Sequence, residues 1–279
     1  MTHAPSSGTN ARSGFRWLAL ITGASAGLGE AFARAYAARG LDVALVARRA
    51  DRLERLAAEL RDAHGVEAIV IPADLAQFES HLPVMAALAE QGRVVDVLVN
   101  NAGFGIPQNF TGVPWSRQRD FLMTLIVAGC GLAYEVIPGM VERGSGAIIN
   151  VASLAGFAPG VAGNSLYPGA KSLAIKFSQA LDAEYRGKGL KITASCPGFT
   201  RTEFAQAAGI QGVMDQQPRL FWQTAEAVVE ATIRANQRGG LIVIPGWHNR
   251  LAAVLMRVLP ERLVRAIILA GSAKYRLGD

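Results

Sequence analysis

Seven short apolar runs alternate with helical windows along this 279-residue chain, and that rhythm limits the fold more than any other feature. The runs fall at 18–22, 42–47, 67–72, 95–100, 147–152, 191–196 and 241–244. They are apolar in continuous stretches rather than only at every second residue, with a few polar positions among them, the pattern of strands buried on both faces of a parallel sheet. The windows between them, 27–39, 51–64, 79–91, 117–143, 165–187 and 224–238, are filled by Ala, Leu, Glu and Arg, often with Gly after the last turn. This alternation predicts an α/β fold with a doubly wound sheet of seven parallel strands and helices on both faces. No internal repeat or linker divides it. The expected organisation is a disordered leader at 1–14, one α/β domain over 15–246, and a basic, apolar helical extension over 247–279.

Composition removes several classes. At 51% hydrophobic and 18% charged residues, the chain has ample apolar surface to bury, which excludes general disorder. Thirty glycines without a three-residue period exclude collagen. The net charge is +6, but residues 250–279 hold six Lys/Arg against two acids, so the body is nearly neutral and no nucleic-acid partner is expected. Cys130 and Cys196 form neither a disulfide framework nor a zinc-type spacing; they read as buried thiols of a reducing cytoplasm, and no metal is expected. The apolar run at 17–21 is too short for a signal peptide, and no uncharged apolar stretch of about 18 residues predicts a spanning helix.

The first run leads into Thr22-Gly23-Ala24-Ser25-Ala26-Gly27-Leu28-Gly29, and a helix follows. A glycine-rich turn between first strand and first helix lets backbone approach a diphosphate, with the helix N-terminus facing its charge. Gly23, Ser25, Gly27, Leu28 and Gly29 are therefore candidate dinucleotide contacts. The second run ends in Val46-Ala47-Arg48-Arg49, without the acid that would hold a ribose 2′-hydroxyl. A guanidinium pairs with a 2′-phosphate instead, so NADP(H) is expected, with Arg48 as first contact. Asp74 and Leu75 follow the third run, where Asp74 can accept from an adenine amino group. Asn100-Asn101-Ala102-Gly103 follows the fourth; its small residues permit close approach, and an Asn side chain there can tie neighbouring strands together.

Ser153 lies just after the fifth run. Tyr167 and Lys171 follow at i, i+4 spacing, on one face of a helical window. A free phenol, with a pKa of about 10, is a poor base at neutral pH. A neighbouring ammonium stabilises phenolate and lowers that value. Tyr167 would then exchange a proton with a substrate oxygen, Lys171 would activate it and anchor the ribose, and Ser153 would hold the same oxygen.

Taken together, these motifs resemble a classical short-chain dehydrogenase/reductase over about residues 15–246: T-G-x-x-x-G-x-G at 22–29, N-N-A-G at 100–103, Ser153, Y-x-x-x-K at 167–171, then Pro197-Gly198 with Thr200 and Thr202. The resemblance implies a Rossmann-like fold and contacts from Asn101, Ala102, Gly103, Pro197, Gly198, Thr200 and Thr202 to the cofactor, the last four to its carboxamide and phosphates. It also implies dimers or tetramers built from the two long helices, 117–143 and 165–187. The stretch at 197–204 with the basic tail is similar to a bacterial subgroup. One departure stands out. The family's usual Asn, which kinks the long helix and holds a water for proton transfer to the lysine, falls on Leu125. Slowed catalysis, another proton path, or a dinucleotide-binding sensor or scaffold with little turnover are the alternatives.

The expected activity is NADP(H)-dependent interconversion of a carbonyl and an alcohol on an apolar small molecule. Phe104, Ile106, Phe157, Val161, Phe199, Phe204, Met214, Phe221 and Trp222 are candidate pocket walls, with Arg201, Glu203, Asp215 and Arg219 among them. The tail over 247–269 mixes Leu, Val and Ile with Arg250, Arg257, Arg262 and Arg265 and breaks at Pro260. It reads as a helix pair packed on the body, a cover for a partner subunit, or a peripheral membrane contact through 248–270 of a cytoplasmic protein.

Overall fold

The structure, a computed structural model, describes residues 16–160, 162–163, 165–204 and 221–272. Seven strands form one parallel sheet: β1 (Leu18–Thr22), β2 (Asp42–Ala47), β3 (Ala68–Pro72), β4 (Val97–Asn100), β5 (Gly146–Val151), β6 (Leu190–Ser195) and, after a two-strand excursion, β9 (Ile242–Val243). Their spatial order is β3-β2-β1-β4-β5-β6-β9, and every pair is parallel. The order reverses between β1 and β4. Ligands of open α/β sheets bind at such a switch point, outside the strand C-termini.

Alternate residues of each strand feed two cores. Ala19 and Ile21 of β1 face one side, where they meet Phe32 and Tyr36 of α1 (Gly27–Ala37), Leu53 and Leu60 of α2 (Ala50–His64), and Val229 and Ile233 of α7 (Ala225–Gln237). Leu18 and Leu20 face the other side. There they meet Val84 and Leu88 of α3 (His81–Ala89), Leu132 and Met140 of α5 (Ala128–Arg143), and Leu181 of α6 (Tyr167–Tyr185). The continuous apolar runs are explained by this double burial.

The long window at 117–143 is one helix in three parts: α4 (Trp115–Leu122), a π-helical turn at Met123–Val127, and α5. Its most apolar 18-residue window has a mean hydropathy of 1.8, enough to cross a bilayer by length and composition. Phe121, Ala128, Leu132, Ala133, Val136 and Met140 are buried, so one face of this helix packs in the body of the domain. Other boundaries differ from the sequence reading for local reasons. α3 starts at His81 rather than 79, because Glu79 sits at φ +52 and interrupts the turn. α6 starts at Tyr167, with Pro168 in its first turn, where a missing N–H is harmless.

Two short strands went unexpected. β7 (Thr200–Arg201) and β8 (Gln223–Thr224) pair in parallel, which brings the two ends of the intervening segment side by side. The tail forms α8 (Trp247–Val258) and α9 (Glu261–Ser272), broken at Pro260 as expected.

Candidate active site

A cleft of about 770 Å³ crosses the C-terminal ends of the strands at the switch point. Its floor begins at the loop after β1. Gly23 has φ +68, a left-handed turn that turns the chain toward α1. Gly29 must be glycine for a different reason: a Cβ there would lie 2.2 Å from the Gly23 carbonyl oxygen and 2.7 Å from Asn101 Nδ2. Ala26 precedes α1 without a side-chain cap, so the first-turn N–H groups of a loop that lines the cleft remain for an anionic ligand.

Thr22 locks this loop to the next. Its hydroxyl donates to the Val99 carbonyl at 3.2 Å and accepts from the N–H groups of Asn101 and Ala102 at 2.9 and 3.0 Å. Asn101 Nδ2 returns a bond to the Thr22 carbonyl at 2.8 Å. Asn100 Nδ2 donates to the Gly129 carbonyl and to Asn150 Oδ1, both at 3.0 Å, and Asn150 Nδ2 donates to Ser178 Oγ at 2.9 Å. One Asn side chain thus joins β4, β5 and α5, as the sequence suggested. The Gly-rich backbone, the uncapped helix and the small residues of the second loop together fit a dinucleotide.

Ser25, Gly23, Gly27, Leu28, Arg48, Asp74, Leu75, Asn101, Ala102, Gly103, Ser153, Tyr167, Lys171, Pro197, Gly198, Thr200 and Thr202 all line the cleft. Gly29 alone of the expected set lies beneath it, as packing. At the β2 end Arg48 has no ion pair among the described residues. Arg49 donates to Ser25 Oγ at 3.0 and 3.1 Å and reaches Glu203 at 3.4 Å. Arg52 holds Glu203 through contacts of 2.7 and 2.9 Å. Hydrogen bonds from Arg52, then Arg49, keep the Glu203 carboxyl below its ordinary range.

Tyr167 and Lys171 rise from the first turns of α6, and Ser153 follows β5, where its Oγ caps a 3₁₀ turn by accepting from Ala155 N–H at 3.1 Å. Lys171 Nζ donates to the Val151 carbonyl at 2.8 Å and stands 5.6 Å from the Tyr167 ring centroid. Burial drives the Lys171 pKa down to about 8. The expected lowering of the phenol is not found: burial pushes Tyr167 up, and hydrogen bonding with Ser153 opposes this only in part. The ammonium lies over the ring and bonds a backbone carbonyl rather than the phenol oxygen, so it does little to favour phenolate.

Behind Lys171 is a second cavity of about 30 Å³, lined by Thr124, Leu125, Asn100, Cys130 and Asn150 among others. Asn100 Oδ1 is buried there without a partner among the described residues. By volume the space holds about two waters, taking 10–15 Å³ for each.

At the substrate end, Phe104, Ile106, Phe199 and Phe204 line the cleft as expected. Phe157, Phe221 and Trp222 do not: Phe157 packs beneath Arg257, Phe221 against His248, and Trp222 against Phe199. Arg201 is exposed outside the cleft. Val161, Met214, Asp215 and Arg219 lie outside the described residues. Tyr167 sits between Phe121 and Phe204, with ring centroids at 6.4 and 6.2 Å.

A family model described as short chain dehydrogenase matches residues 18–211. The chain belongs to the short-chain dehydrogenase family. A very-long-chain 3-oxoacyl-CoA reductase of Anas platyrhynchos is 34% identical over 92% of this chain and 80% of its own length. A short-chain dehydrogenase from Sphingobium yanoikuyae, solved with NADPH, is 34% identical with a TM-score of 0.77, covering 88% of this chain and 96% of that one. A bulky-bulky ketone specific alcohol dehydrogenase from Comamonas testosteroni is 30% identical with a TM-score of 0.72, covering 88% and 95%. As a short-chain dehydrogenase the chain is an oxidoreductase of the nicotinamide dinucleotide class.

Within this family member, Leu125 occupies the π-helical turn, and its Cγ lies 3.1 Å from where a Cβ on Gly103 would stand. The helix is therefore irregular at this point without an Asn. The sequence reading noted Arg49 without giving it a contact, overlooked Arg52, Arg117, Asp120 and Met256, and did not assign Glu203 to the cofactor end. Arg117 stacks over the Phe104 ring at 4.0 Å, and Met256 reaches the cleft from α8. Glu203 meets Arg49 and Arg52 across about 150 positions and Met256 comes from the tail, so no local spacing marks them.

Proposed function

We propose that the chain is an NADP(H)-dependent reductase that interconverts an apolar ketone or aldehyde with its alcohol. The reading rests on one observation: Ser153, Tyr167 and Lys171 line the same cleft as the glycine loop, at the strand C-termini. Gly23, Ser25, Gly27, Leu28, Asp74, Leu75 and the 101–103 loop would hold the dinucleotide, aided by Lys171 and by the Pro197, Gly198, Thr200 and Thr202 strip. When bound, the cofactor supplies or receives a hydride. Tyr167 donates its proton to the substrate oxygen, and a phenol kept protonated by burial suits that direction. Ser153 Oγ donates a hydrogen bond to the same oxygen. Lys171, held on the Val151 carbonyl 5.6 Å from the ring centroid, would anchor the cofactor's ribose beside Tyr167. Arg48 and Arg49, with no carboxylate at the end of β2, favour a 2′-phosphate.

Phe104, Ile106, Phe199 and Phe204 support an apolar substrate, and the relatives named for bulky-bulky ketones and very-long-chain 3-oxoacyl-CoA support a bulky one. We read 15–246 as the dinucleotide-binding and catalytic unit and 247–279 as an extension that contributes Met256. Exposed Trp115, Val127, Tyr134 and Leu173 on the outer faces of α4, the π-helical turn, α5 and α6 support a dimer or tetramer.

The test is NADPH consumption against a panel of apolar ketones and aldehydes. Tyr167→Phe should lower kcat by roughly 10²–10⁴-fold without loss of NADPH binding. Tight binding with no turnover on any substrate would replace this reading by the sensor that Leu125 motivates. A wild-type preference for NADH would overturn the role of Arg48.

A further inference from the structure

The outward face of α8 is apolar, which inverts the usual arrangement of a surface helix. Trp247, Leu251, Val254, Leu255 and Val258 recur at helical spacing and form one stripe, at 100° per residue, with exposures between 45% and 75%. The opposite side holds buried Asn249 and Ala253 together with Met256 of the cleft wall. α9 continues the exposed apolar surface through Leu263 and Ile267 while Val264 anchors it inward. Arg250, Arg257, Arg262 and Arg265 are all exposed on these two helices, and Glu261 is the only acid between 247 and 268. Two of the arginines also hold the helix in place. Arg250 Nε donates to the Ile244 carbonyl at 3.0 Å, and Arg257 stacks on Phe157 at 4.6 Å.

We infer that the outer face of α8 and α9 docks on an anionic membrane surface, apolar stripe in the acyl boundary and guanidinium groups among the headgroups. An exposed apolar stripe demands an apolar cover. Charge chooses among covers. A two-fold contact of this surface with a second copy would press one set of four arginines against another, with a single carboxylate on each side. Anionic headgroups instead complement this excess of positive charge, and Trp247 at the end of the stripe is the residue type that favours the membrane–water boundary. A helix is about 10 Å across, so docking brings the cleft wall at Met256 within one helix width of lipid. Membrane-dissolved substrate would then reach the cleft directly; this last step alone rests on the proposed reductase function.

The experiment is sedimentation of the full chain with large unilamellar vesicles of phosphatidylglycerol and phosphatidylcholine, without cofactor or substrate. Wild type is expected to pellet with the anionic vesicles and far less with pure phosphatidylcholine. Arg262→Glu/Arg265→Glu should weaken binding by at least about 25-fold, since each cation near an anionic surface contributes about five-fold. Leu251→Asp/Val258→Asp should abolish binding while leaving the thermal midpoint, and NADPH-dependent reduction of a water-soluble ketone, unchanged. Equal partitioning of all variants, or no binding to anionic vesicles at low salt, overturns the inference. So does a loss of oligomer mass in Leu251→Asp/Val258→Asp on size exclusion with light scattering, which would show a second copy as the cover. Failure of catalysis leaves the vesicle result untouched, so the two readings fail separately.

Discussion

Lys171 should destabilise the protein that uses it. Its amine is buried, and burial brings its pKa down from 10.5 to about 8. An unfolded lysine keeps the ordinary value, so between pH 8 and 10.5 the unfolded state binds more protons than the folded one. Stability therefore rises with pH across that window, and below about pH 8 the full cost is present. A shift of this size corresponds to about 3 kcal/mol at pH 7. Lys171→Met removes the cost but also deprives the Val151 carbonyl of its donor, a loss of about 1–2 kcal/mol. The net expectation is a gain of about 1–2 kcal/mol at pH 7, or a rise in Tm of roughly 2–6 °C, together with loss of turnover. Urea and thermal unfolding of wild type and Lys171→Met at pH 7, 8, 9 and 10 check this. The advantage of the variant must shrink as pH rises. A variant less stable than wild type at pH 7, or a difference that does not change with pH, would refute the reasoning.

Three further outcomes follow from the site. Gly29→Ala places a methyl against the Gly23 carbonyl and Asn101; NADPH fluorescence titration should show binding lost, and thermal unfolding a destabilisation of about 1–3 kcal/mol from overpacking. Leu125→Asn puts a hydrogen-bonding side chain beside the cavity behind Lys171; kcat should rise by about 2–10-fold, a fraction of what a positioned proton donor contributes, and an unchanged kcat means the proton path does not pass this turn. Glu203→Gln releases Arg49 and Arg52; the KM for NADPH should fall by up to about five-fold, the limit for an exposed ion pair, and a rise would show that the carboxylate positions the loop instead.

The sheet was legible because β1 to β6 lie largely buried on both faces, so their residues are mostly apolar and need no partner to identify them. The glycine loop was legible because its backbone requirement is local. By contrast, β7 and β8 are two residues each, too short for any period. The π-helical turn at Met123–Val127 is a change of backbone hydrogen bonding within an ordinary apolar helix sequence. Glu203 is about 150 residues from Arg49 and Arg52, and only folding joins them. The direction of the Tyr167 shift was misread for a related reason. Spacing set the lysine one turn away, but burial and the Val151 carbonyl determine which charge the phenol experiences.

The β7–β8 ladder has a consequence for how such a protein can diversify. It clips Thr200–Arg201 to Gln223–Thr224, so the stretch between is tethered at a fixed pair of posts beside the Ser153 and Tyr167 end of the cleft. Thr224 also caps α7, its hydroxyl accepting from Ala227 N–H at 3.2 Å, and Thr200 lines the cleft. The head of α7 and the cleft wall are therefore joined through one backbone ladder, and a relative that shifts one of them must shift the other.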